Sequence, residues 1–133
     1  MKLKFLPIFL AVLLLGGCAS TNSMQDDLKD LTYKQIAMNE AVELIESETN
    51  YIILDVRRSD EYAAGHIPNA INVPNESIGD EEITELPDKD QLIFVYCRSG
   101  NRSKQASEKL VKLGYTNIVE FGGINDWNGE IEK

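Results

Sequence analysis

Two hydrophobic periods alternate along the 133-residue chain. Tyr33 to Ile36 predicts a short strand. Ala41, Leu44 and Ile45 then recur at helical spacing and predict an amphipathic helix over Met38 to Glu48, with only weak caps at Ala37 and Met38. Tyr51-Ile52-Ile53-Leu54 is a continuous apolar run closed by Asp55, the pattern of a strand buried on both faces of a parallel sheet. Arg58 to Ala64 predicts a short helix ended by Gly65, and Ala70 to Val73 another short strand. A loose acidic helix is expected over Ile78 to Leu86, before Pro87. Leu92-Ile93-Phe94-Val95-Tyr96 is the strongest strand signal. It is followed by a helix from about Asn101 to Leu113, with Ala106, Leu110 and Leu113 on one face and Gly114 placed to end it in a left-handed turn. Ile118 to Phe121 is the last strand, before Gly122-Gly123. Alternation on this scale predicts an α/β domain with a mostly parallel central sheet and helices on both faces.

The N-terminus has a different pattern. Lys2 and Lys4 precede an apolar run from Phe5 to Leu15, which is interrupted by Pro7 and too short to span a bilayer as a permanent helix. A basic start, an apolar run and a small-residue exit are the parts of a secretory signal. Leu15-Gly16-Gly17-Cys18 resembles the lipobox of bacterial lipoproteins, and the resemblance implies cleavage before Cys18 and lipidation of its sulfur. Two or more acyl chains would then give stable anchoring. The expected organisation is a signal peptide at residues 1 to 17, a polar lipidated tether at 18 to 32 and one domain at 33 to 133. The implied location is the outer side of the cytoplasmic membrane, or the periplasm or outer membrane.

Composition narrows the chemistry. With 13 basic and 22 acidic residues the formal charge is −9, and losing Lys2 and Lys4 with the signal would bring it to −11. That balance argues against a nucleic-acid partner, which requires a basic footprint. Two cysteines make no disulfide framework, and with one histidine they cannot build a four-ligand zinc site, so no metal is expected; no cofactor is expected either. Nothing in the sequence demands more than a monomer. Asp80, Glu81, Glu82 and Glu85 read as a solvated face.

In an open α/β sheet, ligands bind beyond the carboxyl ends of the strands. The segment in that position after the strongest strand is Cys97-Arg98-Ser99-Gly100-Asn101-Arg102-Ser103. Gly100 and Asn101 both tolerate positive φ, so the loop can curl with its N–H groups inward and form an anion nest at a helix N-terminus. The nest, the helix dipole and two arginines would bias Cys97 toward thiolate without a histidine base.

These residues resemble the C-x-x-G-x-R-S active loop of single-domain rhodaneses, a sulfurtransferase family. A second motif of that family is matched by Asp55-Val56-Arg57, Glu61-Tyr62, Gly65-His66-Ile67-Pro68 and Ala70, and a third by Gly122-Gly123-Ile124 and Trp127. Asn69 departs from the pattern, where the family often has Gly, but Asn also tolerates a left-handed turn. The resemblance implies that Cys97 takes a sulfane sulfur from a small anionic donor such as thiosulfate, becomes a persulfide and passes the outer sulfur to a thiol or protein acceptor. It places Arg98, Ser99, Gly100, Asn101, Arg102 and Ser103 around the substrate. Arg98 and Arg102 are expected to attract and orient it. Asp55, Arg57 and His66 are expected to support the structure, and Trp127 to pack in the core.

Three alternatives use the same loop. A non-catalytic interaction module is one, although such modules arise when the loop cysteine is lost and Cys97 is present here. A persulfide carrier serving a partner protein differs only in donor and acceptor. A cysteine phosphatase or arsenate reductase is disfavoured, because the C-x5-R spacing of tyrosine-type phosphatases would put arginine at position 103, where this chain has Ser103.

Overall fold

A computed structural model of the chain describes Tyr33–Lys133. The expected signal peptide, tether and lipidated Cys18 lie outside the described residues.

The domain runs β1 (Lys34–Gln35), α1 (Met38–Ser47), β2 (Tyr51–Asp55), α2 (Ser59–Ala64), β3 (Ile71–Asn72), β4 (Leu92–Cys97), α3 (Asn101–Lys112) and β5 (Ile118–Gly123), with short 3₁₀ turns at Asn75–Ser77 and Ile124–Asp126. The five strands form one sheet in the order β1-β5-β4-β2-β3, with every pairing parallel. Parallel neighbours cannot be joined by tight hairpins, so each connection crosses over a face of the sheet.

Both faces are buried, as the continuous apolar runs require. Along β4, Ile93, Val95 and Cys97 face a cluster with Leu54, Val56, Ala106 of α3, Leu110 of α3, Tyr115 and Ile118. Phe94 and Tyr96 face the opposite cluster, with Ala41 of α1, Ile53, Ile67, Val119 and Phe121. Trp127 packs against this second cluster, as expected, and its indole N–H donates to the Glu130 carbonyl at 2.9 Å.

The helix ends follow the sequence signals. Ala37 offers α1 no side-chain cap. Gly114 takes φ +98°, with its N–H on the Val111 carbonyl and the Tyr115 N–H on that of Leu110. This pair of bonds is the Schellman C-cap, which favours a residue without Cβ at the left-handed position. Asn69 is the only non-glycine residue with positive φ among the described residues, at +68°.

One expected element is absent. No helix forms between Ile78 and Leu86; after the turn at Asn75–Ser77 the chain is irregular, yet Ile78, Ile83 and Leu86 are all buried. A helix would turn Ile83 about 140° away from Ile78, so the two could not share a face. The irregular path brings all three residues onto the α3 face of the sheet. Glycine at position 79 and the acidic residues beside it further weaken helix formation there.

Candidate active site

Cys97 is the last residue of β4, and its exposure is 1 %. Gly100 follows at φ +110° and ψ −6°, the left-handed residue that turns the chain into α3. Asn101 is already the first helical residue, so Gly100 alone supplies the positive φ that the sequence allowed at either position. The Gly100 N–H donates to Cys97 Sγ at 3.0 Å, and Sγ lies 3.4 Å from Ser103 Oγ.

The thiol is acted on by opposed effects. Burial pushes its pKa up. The Ser103 hydroxyl and the backbone N–H groups of Ser103, Gly100 and Ser99 act the other way and prevail, holding it below the ordinary cysteine value. This is the nest expected from the sequence, with the Ser103 side chain as an added member.

The two arginines are placed differently. Arg98 is exposed and in no ion pair among the described residues. Arg102 is gripped by Glu61 of α2 in a two-pronged contact, Nη1 to Oε1 at 2.6 Å and Nη2 to Oε2 at 3.0 Å. The Arg102 bond holds Glu61 below the usual carboxylate range, and the same contact raises the Arg102 pKa. Arg102 therefore meets a donor with part of its charge offset and with its Nε–H and outward hydrogens still available. Arg102 is the arginine whose charge is felt by Cys97, while Arg98 stays exposed at the start of the loop. Ser99 and Asn101 are exposed beside it.

The loop is seated on β5 through a steric fit. The β4–β5 register is irregular: Val95 lies opposite Glu120, but Cys97 lies opposite Gly123. A Cβ on Gly123 would fall 2.0 Å from the Arg98 carbonyl oxygen and 2.5 Å from Ser99 N. The Arg98 carbonyl also accepts the Asn125 N–H at 3.1 Å. The second glycine of the third motif is thus the floor of the loop.

Asp55, Arg57 and His66 lie elsewhere. Asp55 and Arg57 form a buried pair, with Nη2 to Oδ2 at 2.7 Å. Tyr96 donates its hydroxyl to Asp55 Oδ2 at 2.7 Å and accepts the Ile67 N–H at 3.0 Å, while Arg57 also reaches the Gly65 carbonyl at 2.7 Å. Burial and the Asp55 carboxylate hold the Tyr96 phenol protonated far above its ordinary value. Tyr96 faces the sheet side opposite Cys97. The network therefore ties β2, β4 and the Gly65–Ile67 turn together without touching the thiol. His66 stacks on Tyr62 with ring centroids 3.8 Å apart, and its Nδ1 meets the Tyr62 carbonyl at 2.9 Å. Its backbone forms a bridge with Glu132.

Glu120 was not singled out in the sequence. Its exposure is 3 %, and its Oε1 accepts from Ser103 Oγ at 2.6 Å and from Gly122 N–H at 2.9 Å. The available signal was an acidic residue inside the otherwise apolar run Ile118-Val119-Glu120-Phe121. No group of three or more metal-ligating side chains occurs among the described residues.

Comparison with known proteins places this geometry. Residues 37–130 match the sequence model of the rhodanese-like domain. The chain is 38 % identical over 73 residues to the thiosulfate sulfurtransferase PspE of Escherichia coli, covering 55 % of this chain and 70 % of that protein. It is 34 % identical over 98 residues to the thiosulfate sulfurtransferase GlpE of Coxiella burnetii, covering 73 % of this chain and 89 % of that one. A solved structure described as rhodanese with anions from E. coli superposes with a TM-score of 0.57 at 35 % identity, covering 62 % of this chain and 98 % of that one. The chain spans only 22 % of the length of another relative, an adenylyltransferase and sulfurtransferase of Candida albicans, at 35 % identity over 97 residues and 68 % of this chain.

Proposed function

Because the chain belongs to the rhodanese-like domain family, we infer that it is a sulfurtransferase acting on a thiosulfate-type donor through a persulfide on Cys97. The observation that carries this reading is the set of N–H donors on Sγ, the Gly100 N–H at 3.0 Å and the neighbouring backbone N–H groups, with the Ser103 hydroxyl 3.4 Å away. Such a set stabilises a compact sulfur anion. Its support from relatives is the activity named for the two bacterial thiosulfate sulfurtransferases.

The first step forms a bond from Cys97 Sγ to the sulfane sulfur. The S–S bond of thiosulfate breaks, and sulfite leaves with the electron pair. In the second step an acceptor thiolate, or cyanide, attacks the outer sulfur and Cys97 leaves as thiolate. Arg98 draws the dianion in, and the outward hydrogens of Arg102 orient its oxygens.

The test is direct. After incubation with thiosulfate, intact mass spectrometry of the purified protein should show one added sulfur. Cys97→Ser should show none and should form no thiocyanate with cyanide. Absence of a Cys97-dependent sulfur in the wild type would refute the reading. A phosphate ester turned over in a Cys97-dependent way would favour the phosphatase alternative instead.

The same proposal places the enzyme on a membrane through acyl chains on Cys18. Cys18→Ala is expected to move the protein from the membrane to the soluble fraction. Unchanged fractionation would remove the anchor from the proposal and leave the sulfur chemistry untouched.

A further inference from the structure

Glu120 is the one buried carboxylate on the Cys97 side of the sheet among the described residues, and the sulfur-transfer steps do not use it. It is in no ion pair there. Its contact with Ser103 Oγ, at 2.6 Å, has the length of a charge-assisted O–H···O bond. On its other side the same hydroxyl lies 3.4 Å from Cys97 Sγ and 3.0 Å from the Gly100 carbonyl.

A serine hydroxyl has one hydrogen and two lone pairs. While that hydrogen points at Glu120, only a lone pair faces Sγ, and the Sγ–Oγ contact is made with Cys97 as the thiol donor. When Cys97 is a thiolate, already receiving the Gly100 N–H, the hydroxyl gains by turning its hydrogen toward sulfur as a further donor. Glu120 Oε1 would then confront an oxygen lone pair at 2.6 Å, a repulsive contact unless the carboxyl itself carries a proton. The hydroxyl therefore links the protonation states of its two neighbours.

We propose that Cys97, Ser103 and Glu120 form a proton relay, in which Glu120 is a positioning residue that stores the thiol proton through Ser103. The balance is simple. The Cys97 S–H bond breaks as a new O–H bond forms on Ser103, while the original Ser103 hydrogen passes to Glu120 Oε1. One proton moves from sulfur to carboxylate, no electrons are exchanged and no co-reactant is needed. The trio carries one negative charge before and after, which avoids burying a thiolate and a carboxylate together. The role in turnover rests on the sulfurtransferase reading: the persulfide anion also carries one charge, so Glu120 remains protonated through both steps.

The surroundings contain few competing groups. The charged side chains of the loop are exposed Arg98 and half-buried Arg102, the latter paired with Glu61 and under the influence of Glu76. At the register positions of Glu120, β1 presents Gln35 and β4 presents Val95, neither of which titrates.

The experiment follows alkylation of Cys97 by iodoacetamide against pH, read on the Cys97 peptide by mass spectrometry, together with the infrared carboxylic-acid band. In the wild type the rate should rise in two steps, as coupled sites do. Between the steps an acid C=O band should be present and should vanish once Cys97 is alkylated. Glu120→Gln should give a single step and no band. Ser103→Ala should lose the lower step, lowering the rate between the steps roughly tenfold or more. A single-step wild-type profile, a missing band, or a band that survives alkylation would overturn the relay. The decisive measurements are on the wild type, so they stand even if a variant fails to fold. Alkylation requires no sulfur donor, so failure of the relay leaves the persulfide reading intact, and failure of persulfide formation leaves the relay intact.

Discussion

Replacing Gly123 by Ala is expected to lower sulfur-transfer turnover about 100-fold or more, the effect that a displacement of about 1 Å in catalytic geometry can have. The cause is local. The added methyl would lie 2.0 Å from the Arg98 carbonyl oxygen, 2.3 Å from its carbon and 2.5 Å from Ser99 N. These are backbone atoms of the active loop and cannot swing aside as a flexible side chain would. Gly123 itself has φ −136°, an ordinary extended value, so the penalty is steric and not conformational. Either the loop lifts and withdraws its N–H groups from Sγ, or β5 moves. The overpacking should cost about 1–3 kcal/mol of stability, so the variant should fold while its thiol loses reactivity. Steady-state turnover and the alkylation rate of Cys97, measured beside a melting curve, check this. Near-normal turnover would show that the loop does not depend on this floor.

Asp55→Ala is the second large effect, and it falls on stability. The carboxylate is fully buried and receives bonds from Arg57 and Tyr96. Removing it leaves the Arg57 guanidinium buried without its counter-charge, a change that costs about 3–5 kcal/mol. For a domain of this size the melting temperature should fall by roughly 15–30 °C. Asp55→Asn keeps part of the hydrogen bonding but not the charge, and should lie between the two. Because the network faces away from Cys97, the folded fraction should retain the pH dependence of the wild-type thiol. A changed profile in well-folded Asp55→Asn would instead assign Asp55 a part in the proton chemistry.

Where the controlling interaction is local, the sequence was a good guide. The β4 run ending at Cys97, the left-handed Gly100, the cap at Gly114 and the positive φ of Asn69 each follow from a few consecutive residues. The parallel sheet follows from apolar runs with no polar face. The segment from Ile78 to Leu86 departs from the expected helix because its apolar spacing suits neither period, and only the α3 face of the sheet explains its path. The grip of Glu61 on Arg102 joins residues 41 positions apart, so the arginine could be located but its neutralising partner could not. Glu120 was hidden for a similar reason: its role depends on Ser103, 17 positions earlier on another element.

The all-parallel topology also bears on how the site comes into being. The pairing of Lys34 with Val119 joins the first strand to the last, and no hairpin can start the sheet. Every strand contact closes a long loop of chain before it is rewarded, which raises contact order and slows folding relative to a helical protein of equal length. The N–H groups on Sγ all come from the β4–α3 loop and the start of α3, but that loop is seated on the Gly122–Gly123 end of β5, and the Ser103 hydroxyl reaches Glu120 of the same strand. The loop around Cys97 therefore gains its floor only when β5 docks against β4, a pairing that must wait for the intervening α3 to be spanned.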